Sequence, residues 1–197
     1  MAQRSPEAEQ FRRELRSRHP RFGQAVLADA RVISANRGRP LGDASDGRVA
    51  LEALKLAWES DGFAAQMAYR GKARLQALGV PILPRVLHRL AIMLSGLYIG
   101  DPVLIRPGVH LAHGSIVIDG IVEVGSGVTI FPFVTLGLRA GDFRGPVIGA
   151  RATIGSGAKV LGAVEVGEGA KVGANAVVVS DVPAGATVVG IPAKPPE

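Results

Sequence analysis

The chain has 197 residues, 47% of them apolar and only 5% aromatic, with no cysteine and a net charge of +6. That length provides one sizeable core, and the absence of cysteine excludes disulfides, thiolate metal sites and cysteine nucleophiles while agreeing with a reducing compartment. The charge is lopsided, net +7 over residues 1–98 and −1 over 99–197. The arginines of "FRRELRSRHPR" nevertheless sit at helical spacing among glutamates and lack interleaved aromatics, so a solvated helix face and no nucleic-acid partner are expected. The opening "MAQRSPEAEQFRRELRSRH" carries no apolar targeting segment, and no apolar run reaches the roughly 18 residues of a membrane span. A cytoplasmic protein without membrane contact is expected.

The first half has helical periodicity. "SPEAEQFRRELRSRH" places Pro6 at a first helical position after Ser5, with Glu7 and Glu9 in the first turn. A second helix is predicted over Phe22 to Asn36, stopped by "NRGRP". After "RPLGDASDG", apolar residues recur at spacings of three and four through "VALEALKLAW" and "FAAQMAYRGKARLQALG", and "PILPRVLHRLAIMLSGL" adds a last helix.

From Ile118 the period becomes six. Aliphatics fall at Ile118, Val124, Ile130 and Leu136, then at Ile148, Ile154, Val160, Val166, Val172 and Val178. Four residues after each comes a second small or β-branched residue: Val122, Val128 and Val134, then Ala152, Ala158, Val164, Ala170, Ala176 and Val182. This is the hexapeptide pattern of a parallel β-helix, in which three hexapeptides make a triangular coil and the aliphatics point inward. About five coils stacked about 4.8 Å apart predict a prism on the order of 24 Å tall. The fold class is thus α+β: an α-helical domain over residues 1–97, then a β-helix over 98–197. Leu136 and Ile148 keep phase, but "GLRAGDFRGP" between them does not, which predicts an excursion loop at about 137–146. Loops thrown from rigid repeats are where function tends to sit.

With "GFAAQMAYR" ahead of the repeats, and "HGSIVIDG", "VTLG" and "IGSGAKVLGAVEVGEGAKVGANAVVV" within them, the chain resembles the serine O-acetyltransferases over roughly residues 60 to 193. These belong to the hexapeptide acyltransferases, whose β-helix is left-handed against the usual crossover rule. The resemblance implies acetyl transfer from acetyl-CoA to the hydroxyl of L-serine, forming O-acetylserine for cysteine biosynthesis, with no metal. It matches His113 to the catalytic base, a role suited to an imidazole near neutral pH. Arg144 matches the arginine that grips the acceptor's carboxylate, which a guanidinium does bidentately. Gly137, Ser156 and Gly157 match positions along the pantetheine arm, and Lys171 one near the nucleotide end. The family builds its site between neighbouring prisms, which implies a homotrimer.

The departures from the family pattern are specific. Ala112 stands where an aspartate usually precedes the catalytic histidine, and Gly145 where a second histidine follows the loop arginine. The carboxylate expected some fifteen positions upstream falls at Tyr98, so Asp101 or Asp119 is left to orient His113. The helical half is shorter than the family's, which leaves a dimer of trimers open. The tail "GIPAKPPE" lacks the family's extension, so no complex with a cysteine synthase is expected. His110 is expected to be a surface residue without a role, and His19 and His88 structural or exposed. Alternative acceptors are a sugar, a homoserine-like amino acid or a secondary-metabolite hydroxyl, and a non-catalytic trimeric scaffold is a further alternative. A zinc site of the carbonic anhydrase kind needs three histidines, whereas the repeats offer His110 and His113.

Overall fold

The computed structural model describes residues 6–140, 142 and 144–194. Five helices come first: α1 (Pro6–Ser17), α2 (Phe22–Asn36), α3 (Asp46–Glu59), α4 (Asp61–Ala77) and α5 (Leu83–Ser95). The predicted second helix coincides with α2, and Pro6 opens α1 with Glu7 and Glu9 in its first turn. Ser5 lies outside the described residues. Facing residues of α2, α3 and α4 bury a small core of their own, including Val26, Ile33, Val49, Leu56 and Phe63. Among the described residues no helix is long and apolar enough to cross a membrane.

Fourteen short strands follow and pair in parallel as three sheets. Face one holds β1 (Tyr98–Ile99), β4 (Val117–Ile118), β7 (Thr135–Gly137), β10 (Lys159–Leu161) and β13 (Val177–Val178). Face two holds β2 (Val103–Ile105), β5 (Ile121–Val124), β8 (Arg144–Ile148) and β11 (Glu165–Val166). Face three holds β3 (His110–Leu111), β6 (Thr129–Ile130), β9 (Thr153–Ile154), β12 (Lys171–Val172) and β14 (Thr187–Val188). The chain visits the faces in rotation, so each strand pairs with one from the next coil, as in Ile118 with Leu136 and Ile130 with Ile154. The ten aliphatics from Ile118 to Val178 are all at most 2% exposed, and the smaller residues four positions on are buried beside them. Stacked Ile and Val side chains fill the prism, so any site lies on its outside.

A β-helix has an open first coil whose backbone groups would lack partners, and α4 lies across that end. Gln66 donates to the Val109 carbonyl (2.9 Å) and accepts from Leu111 N–H; the Tyr69 hydroxyl donates to Val103 (2.9 Å). Arg70 donates to the carbonyls of Ile105 and Arg106, and the Lys72 ammonium to those of Ile99 and Gly100. Four buried polar side chains of one helix thus do for these backbone groups what a further strand would do. Burial pushes the Lys72 ammonium down to about 8.

The excursion is shorter than the sequence predicts. The chain leaves face one at Leu138, which lies over Gly120, and is back in a strand at Arg144, paired with Ile121. Arg144, Gly145 and Pro146 therefore belong to β8. At Gly145 a Cβ would come within 2.6 Å of Val122 Cγ2, so the family's histidine does not fit this strand as it is packed.

Candidate active site

Between faces three and one, three coils turn the corner in a strict six-residue step: Ile130 to Leu136, Ile154 to Val160 and Val172 to Val178. The first coil takes seven, from Leu111 to Ile118. The extra residue makes the corner bulge, and His113 is exposed on it. Three successive residues there have positive φ: His113 (61°), Gly114 (95°) and Ser115 (53°). Such a conformation costs of order 1–3 kcal/mol per non-glycine residue and persists only where the surroundings impose it. They do so here. Ser115 N–H donates to Ser95 O (2.6 Å), and a Cβ on Gly114 would sit 2.0 Å from that same oxygen. From the other side Gly62, in the first turn of α4, brings that helix against the His113 backbone, where a Cβ would be 3.4 Å away.

His110 begins this corner on face three and is held by α2. Its Nδ1 lies 2.9 Å from Nδ2 of Asn36, the last residue of that helix. An amide nitrogen only donates, so Nδ1 accepts and the neutral ring carries its proton on Nε2. Burial, then the charges of Arg37 and His113, push the His110 pKa down to about 4. Burial likewise holds His19 down to about 4. Both rings are depressed below their unfolded value near 6.5, so their contribution to stability is present above pH 6.5 and is lost as pH falls toward 4. With solvent screening this amounts to about 1–2 kcal/mol per ring. The urea midpoint is therefore expected to fall between pH 6.5 and 4, and to fall less steeply in the H19Q/H110Q variant. An unchanged slope in that variant contradicts the assignment.

The other sequence-predicted residues separate into two groups. Ser156 and Gly157 stand on the His113 corner, two coils further along, about 10 Å up the prism. Lys171 is exposed on face three, in register with Thr153, which is in register with Thr129 and so with His110. Gly137 ends β7 at the opposite corner, between faces one and two. Asp101, Asp119 and Arg144 stand at that opposite corner as well. The width of face one, about 3.3 Å per residue from Gly114 to Asp119, puts roughly 15 Å between the corners.

Asp101 is engaged by Arg16 (Nε to Oδ1 3.1 Å), and the Asp119 carboxylate lies over Gly100. The two line a depression of about 380 Å³ with Arg12, Lys72, Arg85 and His88. Arg144 bonds Glu7 of α1 (3.0 Å) and stacks over the Phe11 ring (4.4 Å). The expectation that Asp101 or Asp119 orients His113 is therefore not met within one chain: both carboxylates stand across the full width of a face. Ala112, directly before His113, is buried and offers the imidazole no carboxylate. Asn36 carries no motif in the sequence, and Gly62 stands there only as the first residue of "GFAAQMAYR"; the relation of both to the corner depends on how α2 and α4 dock. Among the described residues no group of three or more His, Asp or Glu is placed to hold a metal ion.

Known proteins share this fold and much of this sequence. Residues 145–180 match the family described as bacterial transferase hexapeptide (six repeats). The serine acetyltransferase of Helicobacter pylori is 42% identical over 137 residues, spanning 68% of this chain and 80% of that one. That of Synechococcus elongatus is 36% identical over 136 residues, spanning 68% and 56%. The crystal structure of Neisseria gonorrhoeae serine acetyltransferase in complex with serine superposes with a TM-score of 0.74 at 34% identity, over 88% of this chain and 68% of that one. A helical cap on a hexapeptide β-helix and these relatives together make the chain a member of the serine acetyltransferase family, an acyltransferase that forms O-acetylserine.

Proposed function

We propose that the protein transfers the acetyl group of acetyl-CoA to the hydroxyl of L-serine at an edge shared by two chains, with His113 as general base. One observation supports this reading above the rest. The residues matched to catalysis divide between two corners of the prism roughly 15 Å apart, so one chain presents the base and its neighbour the rest. A cyclic trimer of prisms set side by side repeats that edge three times.

At the shared edge His113 accepts the proton of the serine hydroxyl as its oxygen bonds to the acetyl carbon. The tetrahedral adduct then expels the thiolate, which takes the proton back from the imidazolium. Products are O-acetylserine and CoA, and the ring is neutral again. Ser156 and Gly157 offer small positions for the pantetheine arm and Lys171 a cation for the nucleotide end, and Gly137 of the neighbouring chain closes the other side. Asp101 or Asp119 of that neighbour orients the imidazole, and its Arg144 receives the serine carboxylate. Arg144 now bonds Glu7, with both side chains about half exposed. Such a pair is worth at most about 1 kcal/mol, so exchanging one carboxylate for another costs little. Leu51, Leu54 and Trp58 form an exposed apolar stripe on α3 that pairing of two trimers would cover.

The test is complementation. H113A and R144A chains, each nearly inactive alone, are unfolded, mixed and refolded together. If an edge takes its base from one chain and its arginine from the next, random mixing restores up to about a quarter of wild-type activity. No gain over the unmixed variants contradicts a site shared in this way.

A further inference from the structure

Beside the His113 corner, on the outer surface of face three, lies a groove of about 360 Å³ lined by Asn36, His110, Thr129, Phe131 and Thr153. No member of that set had a role in the sequence reading, and no carboxylate lines it. It is rich in donors. Asn36 occupies Nδ1 of His110, which leaves Nε2–H as the ring's remaining polar group, and the hydroxyls of Thr129 and Thr153 continue the row one coil and two coils on. Arg37, next along from Asn36, adds a positive charge that His110 feels, and it holds Glu59 at 3.7 Å. A donor-lined, acid-free groove beside a general base fits the anionic end of the acceptor.

The spacing allows this reach. The hydroxyl and carboxylate oxygens of serine lie about 3–4 Å apart, and two hydrogen bonds of about 2.9 Å bring the span to roughly 9 Å. Residues three apart in sequence reach at most about 10 Å. His110 and His113 are three apart, His110 on the strand that leads into the bulge and His113 on the bulge itself.

We propose that His110, locked by Asn36, is a substrate-binding residue that donates to the carboxylate of the amino-acid acceptor, and that this groove with Thr129 makes the site specific for acceptors carrying that carboxylate. This rests on the reading of the protein as a serine acetyltransferase with His113 as base. It adds a contact from the chain that supplies the base, opposite the one assigned to Arg144 of the neighbour. It also explains why the chain keeps an imidazole at a strand position: phenylalanine has no donor, and an exposed lysine would not keep the contact with Asn36.

The experiment compares L-serine with L-serinamide as acceptors for the intact oligomer, in wild type, H110F, H110Q and T129V. A hydrogen bond to a charged group is worth about 1.5–3 kcal/mol, so H110F is expected to raise the KM for serine about 10- to 150-fold. The KM for acetyl-CoA and kcat stay within about threefold, and the preference for serine over serinamide collapses. H110Q, which keeps a donor, recovers most of the loss. T129V, which keeps the shape of the groove, raises the serine KM about 3- to 10-fold. It carries the test if H110F does not fold. Equal effects on serine and serinamide, an unmoved serine KM, or a loss confined to kcat each overturn the assignment. Absence of serine-dependent turnover in the wild type overturns the acceptor reading itself, and this assignment with it.

Discussion

Replacing Arg70 by methionine is expected to lower stability by about 3–5 kcal/mol, the usual cost of stripping one partner from a buried ion pair. The guanidinium is 3% and Asp29 1% exposed, and they meet through two bonds of 2.8 and 3.0 Å. Asp29 also accepts the N–H groups of Gly108 and Val109 at 2.8 and 3.0 Å, while Arg70 caps two carbonyls of the first coil. Removal of Arg70 therefore leaves a buried carboxylate uncompensated and reopens the edge that α4 closes. For a chain of this size the melting temperature should fall on the order of 10 °C. The pair D29N/R70M should recover about half of that, because the asparagine oxygen still accepts from Gly108 without burying a charge. A melting temperature unchanged in R70M contradicts the capping role given to α4.

The second large effect is on turnover. H113A is expected to reduce kcat by about 10²- to 10⁴-fold while leaving the KM for acetyl-CoA near its wild-type value, since general base catalysis contributes about that much. The melting temperature should stay within a degree or two, because the side chain is exposed on its bulge and packs into no core. A loss of less than tenfold contradicts the assignment of the base.

The β-helix was legible because its grammar is local. Each inward Ile or Val repeats at six residues, and one chain suffices to see it. The same grammar hid the feature that matters most. Leu111 is one residue out of phase with Ile118, so the bulged corner falls just before the run that announces the fold, and His113 was found through resemblance. The cap was illegible for a different reason. Gln66, Tyr69 and Arg70 fall within the motif "GFAAQMAYR" and Lys72 just after it, but the motif does not state their task, and only the docking of α4 on the open coil makes them its edge partners. Asn36 and His110 are 74 positions apart and carry no shared motif. Asp101 and Asp119 were singled out by closeness in sequence, which in a triangular coil measures distance around the perimeter and not nearness to His113. The excursion is visible in the sequence only as a break in phase, which does not mark where the next strand starts. β8 begins as soon as Arg144 can pair with Ile121.

The most direct test of the account is release of free thiol from acetyl-CoA by the wild-type oligomer with L-serine, homoserine, a panel of sugars or no acceptor. The account predicts release that depends on serine, saturates in both substrates and exceeds the rate with every sugar by at least about tenfold, as expected where a buried or clamped polar group of the acceptor is recognised. A folded oligomer that releases no thiol with serine, or that prefers a sugar, contradicts it.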